Sequence, residues 1–205
     1  SYYDNYYRNV ESYVQANKGI LHDKKYTEYS RLILALSAIG ANPSNVAGYN
    51  LLMPLGDFDK TIWQGINGPI FALIALDGGN YEIPVNKSAS TQATREMYIA
   101  DILSRQLADG GFALSGSAAD PDITGMALQA LAKYQDRTNV RAATGKAISL
   151  LSTIQDSHSG YGSYGVKNSE STVQVLMALC ELGIAIDDTR FVKNGNTIVD
   201  DLLSF

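Results

Sequence analysis

Four stretches of this chain carry an Ala-Leu pair near the end of an almost uncharged apolar run, and their recurrence limits the fold more than any other feature. They are Leu32–Gly40 (LILALSAIG), Ile70–Gly78 (IFALIALDG), Met126–Tyr134 (MALQALAKY) and Leu176–Ile184 (LMALCELGI). Leu36, Leu76, Leu131 and Leu179 mark equivalent points, spaced by 40, 55 and 48 residues. A loose period of about fifty residues suits a unit of two helices with their loops. A helix apolar on every side has to be buried, so these four read as inner helices. Tyr6–Leu21, Val46–Leu55, Thr94–Leu107, Val140–Gln155 and Arg190–Leu203 mix apolar and charged residues near a 3.6-residue period and read as outer helices. The expectation is one all-α domain over residues 1–205, with nine helices, five outer and four inner, strictly alternating and with almost no strand.

Composition removes several function classes. A net charge of −5 with no basic run disfavours a phosphate backbone, so nucleic acid is not expected as a partner. No apolar stretch approaches the ~20 residues of a membrane span. One cysteine, Cys180, excludes an internal disulfide. It reads as a small buried core residue, and His22 and His158 read as loop residues. Gly65–Gly68 lacks the Lys-Ser/Thr of a phosphate loop, neither histidine has a triad partner, and Trp63 offers no sugar-stacking platform. The 13 tyrosines, several of them near the start, suit half-wet rims.

Two glycine-rich loops, Asp109–Gly116 and Gly160–Gly165, join outer to inner segments. One is entered through Ala100, Leu103 and Gln106 and reads Gly110-Gly111-Phe112. The other is entered through Lys146-Ala147, Leu150-Leu151 and Gln155 and reads Gly160-Tyr161. This grammar resembles the Gln-to-aromatic repeat of squalene and terpenoid cyclases, with Phe or Tyr where the strict pattern has Trp. The resemblance covers residues from about Tyr26 to Phe205. It implies the α/α toroid of the terpenoid cyclase and protein prenyltransferase superfamily, in which six outer and six inner helices surround a cavity and the glutamine ties a helix end to the next loop. The chain also looks like the toroid modules of Gram-positive surface proteins related to cobalamin carriers of the intrinsic factor type. An extracellular or cell-surface location follows from that likeness. Nine helices would make an incomplete barrel, so the array is expected to continue in a longer protein or to be capped by a second copy.

Thr27, Asn67, Asp122 and Glu170 each stand nine residues before a marker leucine, with Glu28 and Thr172 near that level. In a toroid these would form a polar ring at the cavity mouth, a place for a small-molecule or protein ligand. The same residues also suit helix capping and first-turn acids, and Asp120-Pro121-Asp122 reads as N-cap, proline and acid. Asp120–Thr124 further resembles the Asp-x-Asp-Asp-Thr acid motif of class II cyclases, but Ile123 replaces its last carboxylate. Against the prenyltransferase zinc site, Thr124 stands in the cysteine position and Glu170-Ser171-Thr172 where a histidine belongs, so no zinc and no other cofactor is expected. The leading expectation is a non-catalytic binding module. The alternative is an isoprenoid-type cyclase or transferase using Asp122 as acid.

Overall fold

The segment Asn67–Gly78 (NGPIFALIALDG) has one charged residue in twelve and folds as a helix buried on most sides, with Ile70, Ala72, Leu73, Ala75 and Leu76 inaccessible to solvent. A computed structural model of the chain describes residues 2–163 and 165–205. The described residues are mostly helical and carry a single two-stranded sheet, so the protein is all-α. They form two compact units, residues 1–101 and 102–205.

The first unit holds α1 (Tyr2–Ala16), α2 (Thr27–Ala38), the short α3 (Phe58–Thr61) and α4 (Asn67–Gly78). α5 (Arg95–Ser104) begins in it. α2 packs along α4, with Leu34 beside Gly78, and buries Tyr29, Ile33 and Leu36. The two run in the same direction. The backbone N–H of Thr27 donates to Gln64 Oε1 (3.0 Å), just ahead of α4, and further along Arg31 lies over the Phe71 ring at 5.0 Å.

The second unit holds α6 (Pro121–Leu131), α7 (Thr138–Ile154), the hairpin β1–β2 (Gly162–Ser163 and Val166–Lys167), α8 (Ser169–Glu181) and α9 (Ile198–Leu202). In the hairpin Gly162 faces Lys167 and Ser163 faces Val166. α6 and α8 form the main helix pair. They approach so closely that a Cβ on Gly125 would lie 2.8 Å from the Gln174 carbonyl oxygen. α7 buries Val140, Ala143, Thr144, Ala147, Ile148 and Leu151, one face at helical spacing, and packs on α6 with that face.

Four sequence expectations need correction. Val46–Leu55 is not an α-helix, and only Ile198–Leu202 of Arg190–Leu203 is one. Both segments instead open with a tight reverse turn. Val46 pairs with Tyr49 across Ala47-Gly48, and Lys193 with Asn196 across Asn194-Gly195. All four central residues have positive φ (50°, 85°, 52° and 82°), the two-residue turn in which Asn-Gly is favoured and a helix cannot continue. The first helix is shifted from the expected Tyr6–Leu21 to Tyr2–Ala16. Cys180 is exposed rather than core. α8 buries Ser171, Thr172, Val175, Ala178 and Leu179, a stripe that leaves Val173, Met177 and Cys180 on the open side.

Candidate functional site at the start of helix α6

The glutamine ties the two glycine loops to their helices. Gln106 Nε2 donates to the carbonyls of Gly110 (2.7 Å) and Ala143 (2.8 Å). Gln155 Nε2 donates to those of Ser159 (2.8 Å) and Phe191 (3.1 Å). Each loop then buries its aromatic, Phe112 or Tyr161, and the backbone N–H of that residue donates to a threonine hydroxyl in the next helix: Thr124 at 2.9 Å and Thr172 at 3.0 Å. Thr124 and Thr172 are thus taken up in joining loop to helix. Of the Gly160–Gly165 loop, Tyr164 lies outside the described residues.

The first loop continues as LSGSAA before Asp120, and Asp109 holds its two ends. Asp109 Oδ1 accepts from the Gly111 N–H (3.0 Å) and Oδ2 from the Ala119 N–H (2.9 Å). Asp120 caps α6 as its position implies, Oδ1 accepting from the N–H groups of Asp122 (2.9 Å) and Ile123 (3.2 Å). Its other oxygen accepts a hydrogen bond from the Ser163 hydroxyl of the β-hairpin. Between the 113–119 loop, the first turn of α6 and Ser163 lies a cleft of about 430 Å³. Its walls are small or apolar, including Ala113, Leu114, Ala118 and Ile123, with Asp120 and Asp122 as the charged members.

Asp122 is the unusual group here. Its Oδ1 is buried and has no hydrogen-bond partner among the described residues. Burial pushes its pKa above the ordinary value. The Ser171 hydroxyl, buried and itself without a hydrogen bond of normal geometry, stands near enough to oppose that shift, and the carboxylates of Asp120 and Glu170 add to it.

The other residues expected at a site divide between the units. Glu170 lies in the exposed first turn of α8, close enough to Asp122 to repel it, and accepts from Ser169 Oγ at 3.1 Å. In the first unit Thr27 is buried at the start of α2, and Glu28 beside it pairs with Arg31 at 3.8 Å. Asn67 starts the parallel α4, with its Oδ1 buried and without a partner among the described residues. Of the five, Asp122 combines an orphaned buried oxygen with the wall of a cleft. The LSGSAA loop, Ser163 and Ser171 were not foreseen as parts of the site. The run of small residues between Asp109-Gly110 and Asp120 was the loop's one trace in the sequence, and Ser163 and Ser171 left none.

Among the described residues no group of three or more His, Cys, Asp or Glu side chains is arranged to hold a metal, and no helix is long and apolar enough to cross a membrane. His22 and His158 both lie outside helices. The fold and cleft define a class, an all-α protein with two alike glycine-loop-and-helix modules and an acidic cleft at the start of α6. No protein-family model, curated protein or solved structure matches the chain.

Proposed function

We propose that the chain is a non-catalytic binding module of α/α toroid type, carried by a secreted or surface protein, and that its ligand enters the cleft beside Asp122. The toroid reading is supported by the parallel α2–α4 pair, the close α6–α8 pair and the glutamine ties. The binding reading is carried by one observation, the Asp122 carboxylate at a cleft wall, its Oδ1 buried without a hydrogen bond of normal geometry although the Ser171 hydroxyl stands beside it. A buried acceptor without a partner is costly, and a ligand N–H or O–H relieves that cost. The fitting ligand has a hydrogen-bond donor on a small apolar body, either a free small molecule or a side chain of another protein. Phosphates fit poorly, since the first N–H groups of α6 are already used by Asp120 and three carboxylates stand close together.

The test is an NMR titration of the labelled protein with small aliphatic amines and amides, with cobalamin, and with geranylgeranyl diphosphate. A donor-bearing probe should shift the amides of residues 113–123, and Asp122→Asn should weaken it by about tenfold or more, the loss of a charge-assisted hydrogen bond. The reading fails if no probe shifts these amides or if Asp122→Asn binds as well as the parent.

The raised pKa of Asp122 favours one other reading, an isoprenoid-type cyclase or transferase in which the protonated carboxyl acts as acid. Against it, Ile123 takes the place of a carboxylate and Asp120 is committed to capping. Incubation with squalene and with geranylgeranyl diphosphate decides it: a product formed by the parent and not by Asp122→Asn would replace the binding reading.

A further inference from the structure

The turn that carries α1 into α2 is built around one nitrogen. His22 Nδ1 accepts from the backbone N–H groups of Lys24 and Lys25, both at 3.1 Å. An oxygen of the Asp23 carboxylate lies 2.9 Å from the same Nδ1. One nitrogen cannot serve both sets of partners. Without a proton it offers a lone pair to the two N–H groups and meets Asp23 unfavourably. With a proton it becomes a donor, suits Asp23, and leaves the two N–H groups without their acceptor. Protonation therefore decides which set is satisfied, and histidine is the side chain whose charge changes between about pH 5 and 8.

What hangs on this turn is α1. Val14 is the one buried residue of the helix, so its own packing holds it weakly. Its link to α2 runs through the turn. The Leu21 N–H donates to the Tyr29 hydroxyl of α2 (3.1 Å), and that hydroxyl reaches the His22 carbonyl at 3.5 Å. On the other side of the turn, the Lys24 ammonium lies over the Trp63 ring at 5.8 Å. The remaining charged groups at this junction have partners of their own. Lys60 pairs with Asp57 at 3.5 Å and with the Tyr26 hydroxyl, and Glu28 pairs with Arg31 at 3.8 Å.

We propose that His22 is a pH-operated latch on α1. With Nδ1 bare, the ring closes the 22–25 turn and keeps Leu21 on Tyr29. On protonation the Nδ1–H turns to Asp23, the N–H groups of Lys24 and Lys25 pass to water, and the turn opens. α1 then loosens from α2, and Lys24 leaves the Trp63 ring. No residue of the cleft takes part, so this inference stands apart from the binding reading.

Trp63 is the single tryptophan of the chain, and its emission reports the turn. A titration of the parent from pH 8 to pH 5 should show a one-proton transition in that emission and in the Lys24 and Lys25 amide shifts. His22→Asn gives the same N–H groups an acceptor, as in an Asx turn, and does not titrate in this range. Its signals should stay flat at the parent's high-pH values. His158→Asn should keep the parent's transition. Asp23→Asn removes the partner of the protonated ring and should move the midpoint to lower pH. At pH 5.5 the α1 amides of the parent should exchange about fivefold faster than those of His22→Asn, the worth of one net hydrogen bond. At pH 7.5 the two should match, and comparing them at one pH cancels the intrinsic exchange rate. Flat signals in the parent overturn the proposal, as does a transition that survives His22→Asn or equal α1 exchange at pH 5.5. If His22→Asn melts early, Asp23→Asn decides alone, and an unmoved midpoint overturns the partner exchange.

Discussion

Asp122 holds a carboxylate in the first turn of α6 with one oxygen buried, near Asp120 and Glu170. Burial disfavours its charge, and its pKa stands above the ordinary value. A carboxyl with a raised folded pKa prefers to be protonated in the fold, so it costs stability at pH values above that pKa. The cost vanishes as pH falls below the unfolded value. Asp122→Asn should therefore raise the melting temperature at pH 7, and the gain should shrink toward zero in melts taken at progressively lower pH. A first-turn acid that merely helped the helix dipole would give the opposite sign. Gln155 is the contrasting case. Its Nε2 satisfies the carbonyls of Ser159 and Phe191 in a buried setting, and Gln155→Leu leaves both without that donor. The expected loss is about 1–3 kcal/mol, read from urea unfolding midpoints. Gln155 was legible in sequence as a helix-to-loop tie. The orphan state of Asp122 was not, since it depends on what α8 brings beside it.

At the scale of elements, glycine separates close packing from mere helix position. Gly125 lies in α6 where a Cβ would press on the Gln174 backbone at 2.8 Å. Alanine is the better helix former, but the clash is with main chain and cannot be relieved by a rotamer change. Gly125→Ala is expected to destabilise by about 1–3 kcal/mol. Gly145 lies in α7 with open space around its Cβ position, and Gly145→Ala is expected to stabilise by about 0.5–1 kcal/mol. Paired denaturation curves for the two variants check both signs. The four apolar helices were readable because their burial is written in their own composition. The tight turns at Ala47-Gly48 and Asn194-Gly195 were missed as turns. The residues around them keep a helical alternation of apolar and polar side chains, while the two positive φ values at each turn forbid the helix.

Across the second unit, charge links the parts that sequence leaves far apart. Asp201 of α9 is buried, lies 3.2 Å from the Thr172 hydroxyl, and accepts from Lys167, which also pairs with Asp156 at 3.4 Å. Burial opposes ionisation of Asp156, but the N–H groups of Gly160 and His158 and the Lys167 ammonium outweigh it and hold the pKa below 3.8. Asp200 is held below 3.8 by the Thr197 N–H and hydroxyl of the α9 capping box. A carboxyl with a depressed folded pKa stabilises above its unfolded value, and that contribution is lost as pH falls through the folded pKa. Acidification below about pH 4 should therefore loosen α9 and its loop before α6. Hydrogen exchange across that range should show α9 amides exchanging first. The Lys167 pKa is raised chiefly by its hydrogen bond to Asp201, so its share persists below 10.5 and is lost as pH rises past that value.

The sequence by itself determined the helical class, the repeated apolar segments, the near half of each glutamine tie (Gln106 to Gly110, Gln155 to Ser159) and the Asp120 cap. Each of these is set by residues within a few turns of one another, through 3.6-residue periodicity or through hydrogen bonds between near neighbours. Only the tertiary structure decided which side of α8 stays open, so that Met177 and Cys180 are exposed on a helix whose composition reads as core. It also decided the cleft, whose wall at Ser163 reaches Asp120 across 43 residues, and the unpaired oxygen of Asp122. Such features depend on which surfaces meet and how closely, and a one-dimensional pattern records that a face is apolar without recording what covers it.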